Sequence, residues 1–188
     1  MDARKKSIAL RIIAIAVFVV MAVEIFLLAK QNRTLKAEIK RLRIQKIEHI
    51  EIGIKAPDFV LHTIEGREVK LSDYWGRNLI LIFFSTGCSP CLMDIPNWKR
   101  LADLESDTLH VLGISQGDPE EIEAFVISYD LDFEVAVDPD GKVKELYKCG
   151  GVPQKILINN EGIVTHVETR AVPHTEKGEI LRRMTGYR

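Results

Sequence analysis

Two long apolar runs stand out in the chain, and they differ in kind. The first covers residues 8–29, 22 positions that are apolar except for Arg11 and Glu24. As a helix rising ~1.5 Å per residue it would be about 33 Å long, enough for one bilayer core. The second, Leu79-Ile80-Leu81-Ile82-Phe83-Phe84, is six large apolar residues without alternation. That pattern predicts a strand buried on both faces. It breaks at Ser85-Thr86-Gly87, and a helical pattern begins almost on top of Cys88.

Shorter periodic segments surround that strand. Residues 30–50 are polar with Leu35, Ile39 and Leu42 at helical spacing, a short amphipathic stalk with too few heptads to make a coiled coil. Residues 58–61 and 68–71 flank a Glu65-Gly66 turn and predict a small hairpin. Ser72 is placed to N-cap a helical turn over 72–75 that Gly76 closes. In the helix after Cys88, Pro96 lacks the N–H for its i−4 carbonyl and predicts a kink. Residues 110–115 predict a strand, and Asp118-Pro119 starts a helix with Ile122, Phe125, Val126 and Tyr129 on one face. A short strand over 133–137, a turn at 138–141 and a short helix over 142–147 follow. Residues 155–158 and 163–167 then form a hairpin, and 175–184 a closing helix. The order predicts an α/β fold, a mixed central sheet flanked by helices.

Charge divides the chain in two. Residues 1–50 carry 11 Lys and Arg against 4 Asp and Glu, net +7, while residues 51–188 carry 15 against 23, net −8. A basic head on an acidic body argues against nucleic acid and for a membrane-facing N-terminus. Arg4, Lys5 and Lys6, with Arg11 able to snorkel toward them, precede the apolar run, and no small-x-small cleavage site follows it because Lys30-Gln31-Asn32 comes next. The expected organisation is a basic cytoplasmic N-terminus (1–7), a single transmembrane helix in the lipid bilayer (8–29), a helical stalk (30–52) and a folded body (53–188).

The chemistry expected of the body lies at Cys88-Ser89-Pro90-Cys91. One thiol falls at a helix N-terminus and the second one turn inside, at i+3. Unpaired N–H groups and the positive end of the helix dipole favour a thiolate there. The first sulfur is then the exposed nucleophile and the deeper one its resolving partner. Half of a zinc site is the competing explanation. It would need a second ligand pair, and only Cys149 and the scattered His49, His62, His110, His166 and His174 are on offer.

These residues carry a resemblance. Phe83-Phe84, Cys88-Ser89-Pro90-Cys91, Pro96, Gly151-Val152-Pro153 and Ile156-Leu157-Ile158-Asn159 with Gly162 resemble the thioredoxin superfamily. Ala56-Pro57-Asp58-Phe59 with Leu71-Ser72-Asp73-Tyr74 narrows the likeness to its membrane-anchored TlpA/ResA-like branch, bordering the AhpC/TSA group. The likeness covers about residues 53–185 and implies a thioredoxin-like fold.

The resemblance implies roles. Cys88 matches the attacking thiol and Cys91 the resolving one, so the working group is a redox-active Cys88–Cys91 disulfide, with no other cofactor and no metal. Pro153 matches a cis-proline whose preceding residue, Val152, pairs with a bound substrate strand, and Ser89 and Pro90 flank the same surface. Gln154 departs from the Thr or Glu often found there. Asp94, three residues after Cys91, matches a Glu of the motif Cys-x-Pro-Cys-x-x-Glu-x-Pro, and either moves the proton of Cys91 or is a solvated first-turn acid. Cys149 is either a small buried hydrophobe or a third thiol near the active pair. Trp98 is expected to pack, and Trp75 to line the site from the side.

Two other classes share the fold: a peroxiredoxin-like thiol peroxidase, whose motif lacks its proline here because Leu81 takes the place, and a copper-binding chaperone, whose cysteines are spaced by three rather than two. The expected activity is protein thiol–disulfide exchange on exported proteins, with apocytochrome c among the candidates. The expected location is the extracytoplasmic side of a bacterial inner membrane, with electrons from a membrane donor.

Overall fold

The computed structural model describes residues 15, 17–36, 49–172, 180, 182 and 183. The chain divides into two units between Lys46 and Ile47. In the first, residues 17–36 are helical with exposed side chains. Among the described residues no helix is long and apolar enough to cross a membrane. The expected span over 8–29 lies partly outside the described residues.

The second unit is built on a seven-stranded mixed sheet in the order β2-β1-β5-β4-β3-β6-β7. Its strands are β1 (Val60–Thr63), β2 (Glu68–Lys70), β3 (Asn78–Phe84), β4 (Leu109–Ser115), β5 (Glu134–Val137), β6 (Gln154–Ile158) and β7 (Val164–Glu168). β3, β4 and β5 run parallel, and every other pairing is antiparallel. Three helices connect them: α1 (Ser89–Ala102), α2 (Pro119–Tyr129) and α3 (Lys142–Leu146). Of the expected closing helix, residues 180, 182 and 183 are helical; the rest lie outside the described residues.

β3 is buried on both faces, as its unbroken apolar run predicts. Leu79, Leu81 and Phe83 enter one core with Phe59, Leu71, Tyr74, Ile156 and Tyr147. Ile80, Ile82 and Phe84 enter the other with Ile95, Trp98, Leu101, Ile122 and Phe125, beneath α1 and α2. Phe84 packs on both helices at once, its ring 5.5 Å from Trp98 and 5.5 Å from Phe125. The first core also takes in Ile50, which is buried ahead of the hairpin.

Two local expectations are corrected. The turn after β2 is a 3-10 helix over Leu71–Tyr74 whose N-cap is Lys70 rather than Ser72; the carboxylate of Asp73 in its first turn accepts the Lys70 N–H at 2.8 Å. β1 starts at Val60 rather than at Asp58, because the Phe59 N–H turns back to the Asp58 side chain at 3.0 Å instead of joining the ladder. α1 runs through Pro96 from Ser89 to Ala102.

Candidate active site

The C-terminal end of β3 delivers the chain to the site. After Phe84 the turn closes with the Cys88 N–H donating to the Ser85 carbonyl at 3.2 Å. Cys88 is then the N-cap of α1, in extended backbone conformation, with Pro90 in the first turn where its missing N–H is harmless. A cysteine has no hydroxyl or carboxylate to cap with, so its sulfur does so: Sγ accepts the Cys91 N–H at 3.1 Å. Cys88 and Cys91 form a disulfide with their Cα atoms 5.2 Å apart. Cys88 is partly exposed, whereas Cys91 is completely buried. Gly87, Ser89 and Pro90 are exposed around the outer sulfur, and Leu92 and Met93 extend the rim as exposed apolar side chains.

A second segment closes over the same sulfur. The loop before β6 brings the Val152 carbonyl oxygen to 3.5 Å from Cys88 Sγ, and the Val152–Pro153 peptide is cis. Val152 is half-buried and Pro153 buried. Six of the seven expected site residues, Cys88, Ser89, Pro90, Cys91, Val152 and Pro153, therefore meet around one sulfur.

Asp94, the seventh, lies one turn deeper on the same helix, and solvation is excluded as its role because it is fully buried. Three donors reach its carboxylate. The Val172 N–H donates to Oδ1 at 2.8 Å, Trp98 Nε1 to Oδ2 at 2.8 Å, and Lys155 Nζ to the same Oδ2 at 2.5 Å. Lys155 is itself fully buried and stands 3.2 Å from Glu168 Oε2, which is only 7% exposed. The register explains the meeting: Lys155 on β6 is directly opposite Ile82 on β3 and Glu168 on β7. Ile82, Cys91 and Trp98 belong to the core under α1, so the three charges sit between that helix and the sheet. Breaking a buried pair by removing one partner costs on the order of 3–5 kcal/mol.

Lys155 and Glu168 are not among the residues the sequence singles out. The signal for Lys155 is a lysine at the head of Ile156-Leu157-Ile158, in register to point inward; Glu168 falls just past the strand expected over 163–167.

Cys149 is buried in the opposite core, with Phe83 and Tyr147, whereas Cys91 lies in the core under α1. Its thiol donates to the Gly151 carbonyl at 3.3 Å, and burial pushes its pKa up to about 11. Trp75 does not line the site. It is 59% exposed beside the N-terminal end of β3, with Lys55 Nζ 5.5 Å from its ring centre, while Cys88 follows the C-terminal end. Trp98 packs as expected and also donates to Asp94. Among the described residues no group of three or more His, Cys, Asp or Glu is placed to hold a metal ion.

The chain is similar to known proteins. The AhpC/TSA family model matches residues 52–167. The thiol–disulfide oxidoreductase ResA of Geobacillus thermodenitrificans is 33% identical over 122 residues, 64% of this chain and 70% of the relative. Among solved structures, a Chlorobium tepidum protein assigned as a thiol:disulfide interchange protein DsbE is similar with a TM-score of 0.65 at 29% identity, over 72% of this chain and 96% of that one. The exposed lipoprotein thioredoxin Etrx1 of Streptococcus pneumoniae is similar with a TM-score of 0.60 at 26% identity, over 69% of this chain and 99% of that one.

Proposed function

We propose that this chain, which belongs to the AhpC/TSA family and is a thiol–disulfide oxidoreductase of the ResA-like kind, reduces disulfides in exported proteins from an anchored position outside a bacterial inner membrane. One observation carries the mechanism: an outer sulfur, Cys88, sits at a helix N-terminus beside the Val152 carbonyl, with a fully buried partner, Cys91, one turn inside.

In the reducing direction Cys88 attacks as a thiolate. The substrate disulfide breaks, a Cys88–substrate disulfide forms, and the first substrate sulfur leaves with its electron pair and takes a proton. The Cys91 N–H, shared between the Cys88 carbonyl at 2.9 Å and Cys88 Sγ at 3.1 Å, reaches the sulfur that carries the negative charge. Cys91 then loses its proton, with Asp94 as acceptor, and its thiolate attacks Cys88 Sγ. The Cys88–Cys91 bond closes and the second substrate sulfur leaves and is protonated. Two electrons have passed from the dithiol to the substrate; the two substrate thiolates take their protons from solvent, which receives the proton Cys88 lost on ionising and, by way of Asp94, that of Cys91. The exposed Gly87, Ser89 and Pro90, with Val152 and Pro153, form the surface a substrate strand would meet; no other cofactor and no metal enters.

Anchoring rests on the apolar run of residues 8–29. Lys30, Arg33 and Lys36 after the run compete with the basic N-terminus in setting orientation, and the redox chemistry of the body favours the N-terminus inside and the body outside. Disulfides persist on that side and other machinery makes them, so an anchored dithiol there serves as a reductant, fed by a membrane electron donor. Apocytochrome c, whose thiols must be reduced before haem attachment, is one substrate of that class.

The test is the reduction potential of the Cys88/Cys91 couple, by equilibration against dithiothreitol and glutathione buffers. A value near that of thioredoxin, roughly −270 mV, supports the reductant; a value near −120 mV, the oxidising extreme, overturns the direction.

A further inference from the structure

The connection from α3 to the cis-proline carries few restraints of its own. Lys148, at φ 49° in the left-handed region, follows the helix end and turns the chain. The Cys149 N–H donates to the Lys144 carbonyl at 2.9 Å, and there, among the described residues, the backbone–backbone hydrogen bonds of the connection stop. They resume in β6, where Gln154 pairs with Phe83. Gly150, Gly151 and Val152 lie between. Glycine is the residue with the most backbone freedom to lose, and a Cβ on Gly151 would meet nothing within 4 Å, so packing does not fix that residue.

Two sulfurs bracket this segment. The Cys149 thiol donates to the Gly151 carbonyl at 3.3 Å, and the next carbonyl, that of Val152, lies 3.5 Å from Cys88 Sγ. Cys88 is in the disulfide and has no proton to give. Cys149 is therefore the hydrogen-bond donor that holds residues 150–152 among the described residues. It is itself firmly placed, 7% exposed in a core with Phe83 and Tyr147, and the Tyr147 hydroxyl donates to the Pro57 carbonyl at 2.7 Å. Its pKa of about 11 keeps the donor proton on sulfur throughout the neutral range.

The Val152 side chain packs against both cores, but the direction of its N–H is set elsewhere. That N–H belongs to the same planar unit as the Gly151 carbonyl. In a trans peptide the two point in opposite directions, and the cis bond lies one residue later. Holding the Gly151 oxygen at the buried sulfur thus turns the Val152 N–H away from the core. Among the described residues this N–H has no backbone partner.

We propose that Cys149 is a positioning residue for substrate binding: its thiol holds the Gly151 carbonyl and so aims the Val152 N–H at the backbone of a substrate strand lying over Cys88. This rests on the reading of Val152 as the edge a substrate strand meets. An apolar residue of similar size would fill the same space and leave the peptide free to turn; a thiol adds the donor.

The test uses the reduced full-length chain and a short peptide whose single cysteine is joined to thionitrobenzoate. Cys88 attacks the peptide sulfur as a thiolate, the bond to thionitrobenzoate breaks, and that coloured thiolate leaves with the electron pair. A second peptide is N-methylated on the residues flanking its cysteine, which blocks strand pairing and leaves the reacting disulfide unchanged. The third reagent, 5,5′-dithiobis(2-nitrobenzoate), has no backbone to pair. The intact chain is expected to react with the first peptide ~10-fold faster than with the methylated one. Cys149→Ala is expected to lose about 3- to 10-fold on the first peptide, the worth of one ordinary hydrogen bond. It keeps its rates on the other two reagents, because the donor to Cys88 Sγ is the Cys91 N–H. Cys149→Ser retains a donor and is expected to restore the preference.

If the intact chain reacts equally with both peptides, Val152 is not a pairing edge, and that reading falls together with this one. If it prefers the first peptide and Cys149→Ala keeps that preference, this inference alone fails. Equal slowing on all three reagents, or a Cys149→Ser variant that behaves as Cys149→Ala, also contradicts it, because volume and not the hydrogen bond then matters. Should Cys149→Ala not fold, Cys149→Val fills the space without a donor and has to lose the same preference.

Discussion

The Cys91 N–H points at Cys88 Sγ from 3.1 Å, so the outer sulfur occupies the capping position of a 14-residue helix that in most proteins goes to an oxygen. That places the two sulfurs of one dithiol in different surroundings. The outer is part-exposed; the inner has no exposed surface. After reduction, iodoacetamide at neutral pH is expected to modify Cys88 first and to leave Cys91 and Cys149 unmodified at equal times. Peptide mass spectrometry over a time course reads the order, and early labelling of Cys91 would contradict the assignment.

Cys149 makes a pH-dependent contribution to stability. Its thiol is raised from 9.0 to about 11, with burial the leading cause. Below pH 9 it is neutral whether the chain is folded or not. Between about 9 and 11 the unfolded thiol ionises while the folded one holds its proton, so stability falls as pH rises through that window. The loss from this one group is expected to be about 1 kcal/mol between pH 8 and pH 10. Urea unfolding at the two pH values measures it, and Cys149→Ala is expected to show a smaller fall.

Gly113 in β4 is needed for its lack of volume. A Cβ there would lie 3.0 Å from the Phe133 ring and 3.1 Å from both Phe84 and Val135. All three are core side chains beneath the helices, so none can swing into solvent. Gly113→Ala is expected to destabilise the fold by about 1–3 kcal/mol, seen as a lower urea midpoint at an unchanged slope.

Trp75 lies beyond the far end of the strand that delivers Cys88, and β3 spans seven residues, roughly 20 Å, between them. Trp75→Ala is expected to leave kcat/KM for disulfide reduction unchanged. A loss of activity without a loss of stability would place that face in substrate binding.

What the sequence makes legible follows from how local each signal is. β3 declares itself because burial on both faces leaves no alternation to interpret. The cysteine helix does so because its start, its Pro90 and its i+3 thiols lie within four residues. Val152 and Pro153 are placed through family likeness, since no local pattern carries them across the sheet to Cys88. The charge cluster is hidden for a physical reason. Lys155 meets Glu168 only because a register shift between Leu157 and Ile158 sets the β6–β7 pairing. Neither residue type nor spacing reveals that shift, and Glu168 falls outside the strand expected over 163–167. Asp94 is half legible: its position on the helix and the i+4 spacing to Trp98 are readable, but its burial also depends on Lys155 and Val172 arriving from elsewhere. The 58–61 strand is misplaced because one side-chain bond, Asp58 to the Phe59 N–H, outcompetes a ladder bond at the sheet margin.

The division of labour between the two sulfurs is tested most directly by trapping. Full-length Cys91→Ser and Cys88→Ser variants are reduced, exposed to a protein disulfide substrate and quenched with acid, and mixed disulfides are counted by mass on non-reducing separation. Cys91→Ser is expected to accumulate a covalent adduct through Cys88, and Cys88→Ser to form none and to lose disulfide reduction. An adduct held by Cys91 in the Cys88→Ser variant, with none on Cys88 when Cys91 is removed, would contradict the assignment of Cys88 as the attacking sulfur.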